Sequence, residues 1–211
     1  MCGRYKLTTA AVDLEAYFEA IVSNAGTIEP MLNVTPGMVM PVVAIGRDKV
    51  PVITSFRWGL VPGWSKDPKT GYKMINARSE TITQKPSFAT PFKRSRCIIP
   101  SNGFYEWKTE GKLKIPHFVR RTDDDIMAFA GIYDRWKYPD GKDLFTYSII
   151  TTAANDRIRH VHERMPVVLN KPDFATWLNP GTDLQALQIL LHPFENNHTS
   201  VEVIDSVPQN P

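Results

Sequence analysis

The chain has 211 residues, 42% of them hydrophobic, a formal net charge of +3 and two cysteines. This is ordinary for a globular protein and long enough to bury a core without staples, and two cysteines exclude a disulfide scaffold and point to a reducing compartment. No apolar run approaches a membrane span and no basic-then-apolar leader is visible, so the expectation is a cytoplasmic protein (nucleoid-associated if bacterial) with no membrane partner, and the mild basicity permits an anionic one.

In chain order, Leu14, Tyr17, Phe18 and Ile21 recur at helical spacing and predict a helix over Ala11–Ile21, capped by Thr8 or Thr9. Asn33-Val34-Thr35-Pro36-Gly37 reads as a turn. Val39–Ile45 and Val50–Trp58 read as strands paired around a turn at Gly46–Lys49, followed by a Pro-, Gly- and Trp-rich loop over Trp58–Lys69. Arg96–Ile99, His117–Arg120, Ile126–Tyr133 and Phe145–Thr151 read as further strands, with a hairpin turn at Asp140-Gly141. A short helix over Asn155–Val161, helices over Pro172–Leu178 and Asp183–Leu191, and a strand over Val201–Ile204 complete the prediction. Seventeen prolines argue for many turns and short strands rather than a helical bundle, and no repeat or linker divides the chain. The expected fold is α+β: a single domain over residues 1–211, with a mostly antiparallel, barrel-like β core and peripheral helices.

The opening Met1-Cys2-Gly3-Arg4-Tyr5 places a thiol at the second position. A small second residue favours removal of the initiator Met, which would leave Cys2 with a free α-amine and a free thiol on adjacent carbons. The competing reading is that Cys2 packs as a small hydrophobe. Four further stretches stand out: Trp58-Gly59-Leu60-Val61-Pro62, Ile75-Asn76-Ala77-Arg78-Ser79-Glu80-Thr81, Gly103-Phe104-Tyr105-Glu106-Trp107 and His162-Glu163-Arg164-Met165-Pro166.

In this order and spacing the five stretches resemble the SOS response-associated peptidase family, whose members crosslink to abasic sites in DNA. The resemblance runs from Met1 to about Leu178, and the tail over residues 179–211 carries no motif. It implies a compact β-rich core, loss of Met1 by autoproteolysis or an aminopeptidase, and capture of the abasic-site aldehyde in single-stranded DNA as a thiazolidine. An α-amine with a pKa of about 7.7–8.0 is about a tenth unprotonated at pH 7, whereas a lysine near 10.4 is almost wholly protonated, so the amine needs no special burial to act as a Schiff-base nucleophile. The resemblance implies that Glu106 assists sugar ring opening and imine formation, and that His162 handles the sugar hydroxyl, imine protonation and the reverse reaction. Asn76 would orient the Cys2 amine or the sugar. Abasic-site lyase activity is a natural companion, because an unhydrolysed imine permits β-elimination.

The expected DNA-binding residues are Arg78 and Arg164 at phosphates, Arg4 beside the nucleophile, Trp58 and Trp64 flanking a loop from which aromatic faces could stack on bases, and Asn33 and Pro36 in the family's turn beside the active site. Ser65 follows Trp64 where some members carry a second aromatic. No metal motif exists, so neither metal nor cofactor is expected, and the protein is expected to be a monomer. The bland readings run alongside. Trp58 fits the core as well as a DNA platform; Trp107, Trp136 and Cys97 read as packing; His160 is the decoy for His162; His117, His192 and His198 have no partners by spacing; Asp123-Asp124-Asp125 reads as a solvated turn. Three rival functions stay open: an N-terminal-nucleophile Cys amidotransferase, a plain cysteine peptidase, and a non-catalytic single-strand binder.

Overall fold

The computed structural model describes residues 2–23, 26, 28–123 and 125–210. Strand β1 (Tyr5–Leu7) leads into helix α1 (Ala11–Phe18), then β2 (Ile21–Val22), β3 (Met31–Val34), β4 (Val39–Ile45) and β5 (Pro51–Trp58). β6 (Asn76–Arg78) and α2 (Pro86–Arg94) precede the long strands β7 (Arg96–Ser101), β8 (Gly103–Glu110), β9 (Leu113–Arg121), β10 (Met127–Lys137) and β11 (Asp143–Ala153). β12 (Arg164–Pro166), β13 (Val168–Leu169), α3 (Phe174–Leu178), α4 (Leu184–Ile189) and β14 (Thr199–Val203) complete the chain.

The barrel-like expectation holds. β5 pairs with β4, β4 with β7, β7 with β10, β10 with β11, and β11 returns to β5 in parallel, which closes a five-strand ring. The Val- and Ile-rich runs that form it are buried almost without alternation, as expected for strands with both faces covered. β6 and β12 flank β11. A second sheet runs in the order β14-β9-β8-β1-β3. One buried cluster from Cys2 to Phe194 joins both sheets, so the N-terminal cysteine is part of the core and not a frayed end.

Several local expectations are corrected. α1 stops at Phe18, because Glu19 adopts the left-handed conformation (φ 50°) and the chain turns into β2; Ile21 is a strand residue, 65% exposed. The N-cap is Ala10 with no side-chain bond, since Thr8 bonds to Asn102 through both its N–H and its hydroxyl. Residues 155–161 form hydrogen-bonded turns, not a helix: the Asn155 side chain accepts from the Ile158 N–H and donates to the Phe194 carbonyl. That local competition is what keeps Asn out of helix interiors. The last part of the Trp58–Lys69 loop opens a 3-10 turn over Pro68–Lys73, capped by the Asp67 side chain. Of the acidic run, Asp123 is exposed in a turn and pairs with Arg121, while Asp124 lies outside the described residues. No helix among the described residues is long and apolar enough to cross a membrane.

Candidate active site

The segment from Cys2 to Arg4 runs beside β8. Tyr5 pairs with Phe104, and Tyr105 donates its N–H to the Arg4 carbonyl at 2.9 Å. Continuing that register sets Gly3 opposite Glu106. Glu106 shares the inward side of β8 with Phe104, because strand side chains alternate, and it is 4% exposed. β8 reaches this position through Gly103 (φ +142°), where a Cβ would lie 2.5 Å from the Phe118 ring and 2.6 Å from the Val119 carbonyl; only glycine fits both the dihedral and the space.

Cys2 is fully buried. Burial pushes its thiol well above the ordinary cysteine range, and the nearby Glu106 carboxylate pushes it further. The thiol is therefore neutral at pH 7, with its sulfur 4.0 Å from the Arg4 carbonyl oxygen.

β6 supplies the second wall. It pairs in parallel with β11, placing Asn76 opposite Ile149. The approach to β6 is fixed by three bonds. Trp58 Nε1 donates to the Ile75 carbonyl at 2.9 Å, Leu60 N donates to the Met74 carbonyl at 3.1 Å, and Gly59 N donates to the Tyr147 carbonyl at 2.9 Å. Gly59 can do this because its backbone packs on that of Gly71, where a Cβ on Gly59 would meet the Gly71 oxygen at 2.7 Å. Asn76 Nδ2 then donates to the Cys2 carbonyl at 2.8 Å. Its Oδ1 is buried and has no hydrogen-bond partner among the described residues.

His162 enters two residues ahead of β12. Its Nδ1 accepts the Arg164 backbone N–H at 2.9 Å. The same Nδ1 lies 3.3 Å from the Arg164 carbonyl; the shorter contact favours Nδ1 as the acceptor, which in the neutral ring puts the N–H at Nε2.

The expected DNA-binding residues divide. Arg78 is exposed on the same side of β6 as Asn76, about 7 Å further along. Arg4 lies with its guanidinium 5.6 Å from the Trp107 ring centroid. Trp64 is 66% exposed, yet its neighbours are fastened: Gly63 N donates to Asp134, and the Ser65 carbonyl accepts from Trp136 Nε1 at 2.7 Å. Pro36 and Gly37 form a turn in which Gly37 N donates to the Trp58 carbonyl at 2.9 Å, and Asn33 sits on β3 with a buried Oδ1 that has no hydrogen-bond partner among the described residues.

Trp58 and Arg164 are placed otherwise than expected. Trp58 is 1% exposed, stacked on Tyr147 and tilted against Tyr5, so it offers no face to a base and serves instead to hold Ile75. Arg164 is buried, forks onto Glu80 at 2.5 and 2.9 Å, and donates to the Thr151 carbonyl at 2.6 Å. Those donors are committed within the protein rather than presented to a phosphate.

Three residues near the site are given no role by the sequence. His117 pairs directly with Glu106 across β8 and β9, is 4% exposed, and has its Nδ1 3.0 Å from the Ile115 carbonyl, with the His160 ring edge-on at 6.3 Å. The hairpin turn at Gly111-Lys112 fixes that register and could have revealed it. Tyr72 is 68% exposed against the Pro36–Gly37 turn. Glu80 is the carboxylate that occupies Arg164. The described residues contain no group of three or more His, Cys, Asp or Glu able to hold a metal ion.

The profile of the family described as SOS response associated peptidase (SRAP) matches residues 1–210. The abasic site processing protein YoqW of Bacillus subtilis is 40% identical, across all of this chain and 95% of that protein. The abasic site processing protein HMCES of Xenopus tropicalis is 33% identical over 69% of this chain and 50% of that protein. Among solved structures, a crystal structure of a protein from Bacteroides thetaiotaomicron superposes with a TM-score of 0.88 at 30% identity, covering 96% of this chain and 92% of that one.

Proposed function

Because this chain belongs to the SOS response associated peptidase family, we propose that it processes abasic sites in single-stranded DNA by capturing them covalently at Cys2. The observation that carries the proposal is the arrest of residue 2 in the core, with its carbonyl held by Asn76 and its thiol beside Glu106. A packing cysteine needs neither partner. Met1 lies outside the described residues, and its removal, by the protein itself or by an aminopeptidase, is part of the proposal.

Loss of Met1 frees the Cys2 amine one atom from the carbonyl that Asn76 holds. Asn76 Oδ1 is then an acceptor in need of a donor, and the amine and the sugar hydroxyls are donors. The amine nitrogen attacks C1 of the ring-opened sugar, and the carbinolamine loses water to give an imine. The thiol adds across C=N, sulfur to carbon and its proton to nitrogen, closing a thiazolidine; the net loss is one water. A neutral thiol must shed its proton as it attacks, and Glu106 is the base beside it. His162 Nε2–H is suited to donate to the departing hydroxyl and to recover the proton on reversal. An imine that escapes ring closure can eliminate the 3′-phosphate, which gives the accompanying lyase activity.

DNA is held by Arg78 and Arg4 at phosphates and by Trp64 and Tyr72 as stacking faces on fastened backbone. Asn33 and Pro36 border the same site. Arg164 enters this scheme by holding Glu80 and the end of β11, next to His162, rather than by touching DNA.

The test is a denaturing gel of Met-free protein with single-stranded DNA bearing one abasic site. A heat-stable shifted band that needs both the abasic site and Cys2 is expected. A band that persists in Cys2→Ala, or none with any abasic substrate, would overturn the proposal, and ammonia release from glutamine would then point to the amidotransferase chemistry.

A further inference from the structure

The segment after β14 lacks a recognisable motif, yet it is anchored at two distant strands. Ile204 N donates to the Pro116 carbonyl on β9. Six residues later the Asn210 side chain grips the backbone of Asn33 on β3: its Oδ1 accepts the Asn33 N–H at 2.8 Å and its Nδ2 donates to the Asn33 carbonyl at 2.9 Å. Between β9 and β3 lie β8 and β1. The segment thus runs from the β14 side of β9 to the open edge of β3 in six residues, which extended reach about 20 Å. Ile204, Val207 and Asn210 are the partly buried positions, and the residues between them are exposed. The side of β8 away from the core is covered as well. Tyr105 alternates with the inward Phe104 and Glu106, is 2% exposed, lies outside the main core cluster and donates its hydroxyl to the Leu32 carbonyl.

β3 is an edge strand. Val34 pairs with Tyr5, so the N–H and carbonyl of the preceding Asn33 point to the open edge. The Asn210 amide turns its C=O and one of its two N–H bonds to the same side, so it pairs with the Asn33 N–H and C=O as a residue of a neighbouring strand would. What it fixes is functional ground: the Asn33 side chain carries the buried Oδ1 without a partner, and Asn33 leads directly into the Pro36–Gly37 turn. Continuing the β1–β3 register sets Gly3 opposite Pro36.

We propose that Asn210 is a positioning residue for DNA engagement: through its two bonds to the Asn33 backbone, the C-terminal segment holds β3 and aims the Asn33 acceptor at the bound strand. This rests on the DNA-capture reading above, in which Asn33 borders the site. Asn210 touches no reacting atom. Its loss weakens DNA binding and leaves the rate of ring closure at saturating DNA unchanged.

Two measurements on the full chain test this. The first is amide hydrogen exchange at Asn33. Among the described residues the Asn33 N–H donates to Asn210 Oδ1, so exchange is expected to quicken by about tenfold or more in Asn210→Ala while Val34 is unaffected. Equal Asn33 exchange in the two proteins would overturn the clamp, whatever the protein does with DNA. The second is anisotropy binding of single-stranded DNA carrying a non-reactive tetrahydrofuran abasic analogue. Asn210→Ala is expected to raise Kd about three- to tenfold, and to add nothing in an Asn33→Ala background. Additive effects, or an unchanged Kd, would overturn the positioning role. DNA that binds without ever crosslinking would sink the capture chemistry and leave the Asn210 result intact.

Discussion

Asn76 holds Cys2 by its backbone and not by its thiol: Nδ2 donates to the Cys2 carbonyl at 2.8 Å, and Oδ1 is left as a buried acceptor. The amide therefore fixes where residue 2 lies, and in the proposed capture its free oxygen receives the Cys2 amine. Asn76→Ala should slow crosslinking by about tenfold or more at unchanged fold, since one hydrogen bond to a positioned group is worth about 1 kcal/mol and a second is forgone. Asn76→Asp should do worse, because it sets a carboxylate oxygen against a carbonyl. Single-turnover gels alongside circular dichroism measure both, and an Asn76→Ala protein that crosslinks at the normal rate would remove Asn76 from the mechanism.

The buried thiols give the protein a pH signature. Burial raises Cys2 and Cys97, and Tyr5 and Tyr147, which share a hydroxyl–hydroxyl bond, are raised as well. Each group stays protonated in the folded state after its unfolded counterpart has ionised, so the folded state binds more protons and stability falls as pH rises. The stabilisation is complete below the unfolded thiol value of about 8.5 and is lost above it, by up to about 1.4 kcal/mol per group per pH unit. Denaturation midpoints from pH 7 to 10 should decline, and the decline should be shallower in Cys2→Ala. Iodoacetamide should label native Cys2 at pH 7 far more slowly than the unfolded chain; rapid labelling would mean that the thiol is neither buried nor neutral.

The strands that build the ring were legible in the sequence because their apolar runs are long and bounded by turns: Val39–Ile45 has the expected limits, and β5, β10 and β11 lie where expected. The short strands that carry candidate site residues were not. Asn76–Arg78 and Arg164–Pro166 have three residues each and exist only because β11 lies between them. Cys2, Glu106 and His162 were found through motifs, since nothing in local periodicity brings residue 2 to residue 106. Trp58 shows the limit of that route. A tryptophan beside a Pro/Gly loop reads equally as a platform or as core, and only the Ile75 carbonyl and the Tyr147 ring decide for core. Asn210 had no signal at all, because its partner is 177 positions away.

The Glu80–Arg164 pair ties the Ser79–Thr81 turn to β12. Arg164 is buried and Glu80 is half exposed, so the two ends are unequal. Hydrogen bonds from Arg164 hold the Glu80 carboxyl below the usual range, so their contribution is present above the unfolded carboxylate value of about 4.3 and fades as pH falls through the folded one. Glu80→Gln leaves a buried guanidinium without its counter-charge and should destabilise more than Arg164→Gln, which leaves an exposed carboxylate to water. Urea midpoints of the two variants decide the order; the reverse order would mean that Arg164 is solvated in solution and open to a phosphate.

Arg96 is a buried charge that closes two helix ends. It is 3% exposed, and its partners are carbonyls: Nε donates to Trp177 at 2.6 Å, Nη1 to Phe92 and Lys93 at 2.8 Å each, and Nη2 to Asn179 at 2.5 Å. Those carbonyls belong to the C-terminal ends of α2 and α3, where helices leave unsatisfied acceptors and partial negative charge. The planar fork thus closes two helices at once, with the Trp177 ring 5.9 Å away. Lysine keeps the charge but is a point donor that cannot reach four divergent acceptors, so Arg96→Lys should lose about 2 kcal/mol or more, and Arg96→Met, which strands all four carbonyls, about twice that. Neither helix contributes a residue to the Cys2 site, so crosslinking per folded molecule at low temperature should match the unaltered protein. Denaturant melts paired with active-site titration separate the two readouts. Arg96→Lys as stable as the parent would mean that water, not Arg96, satisfies those helix ends.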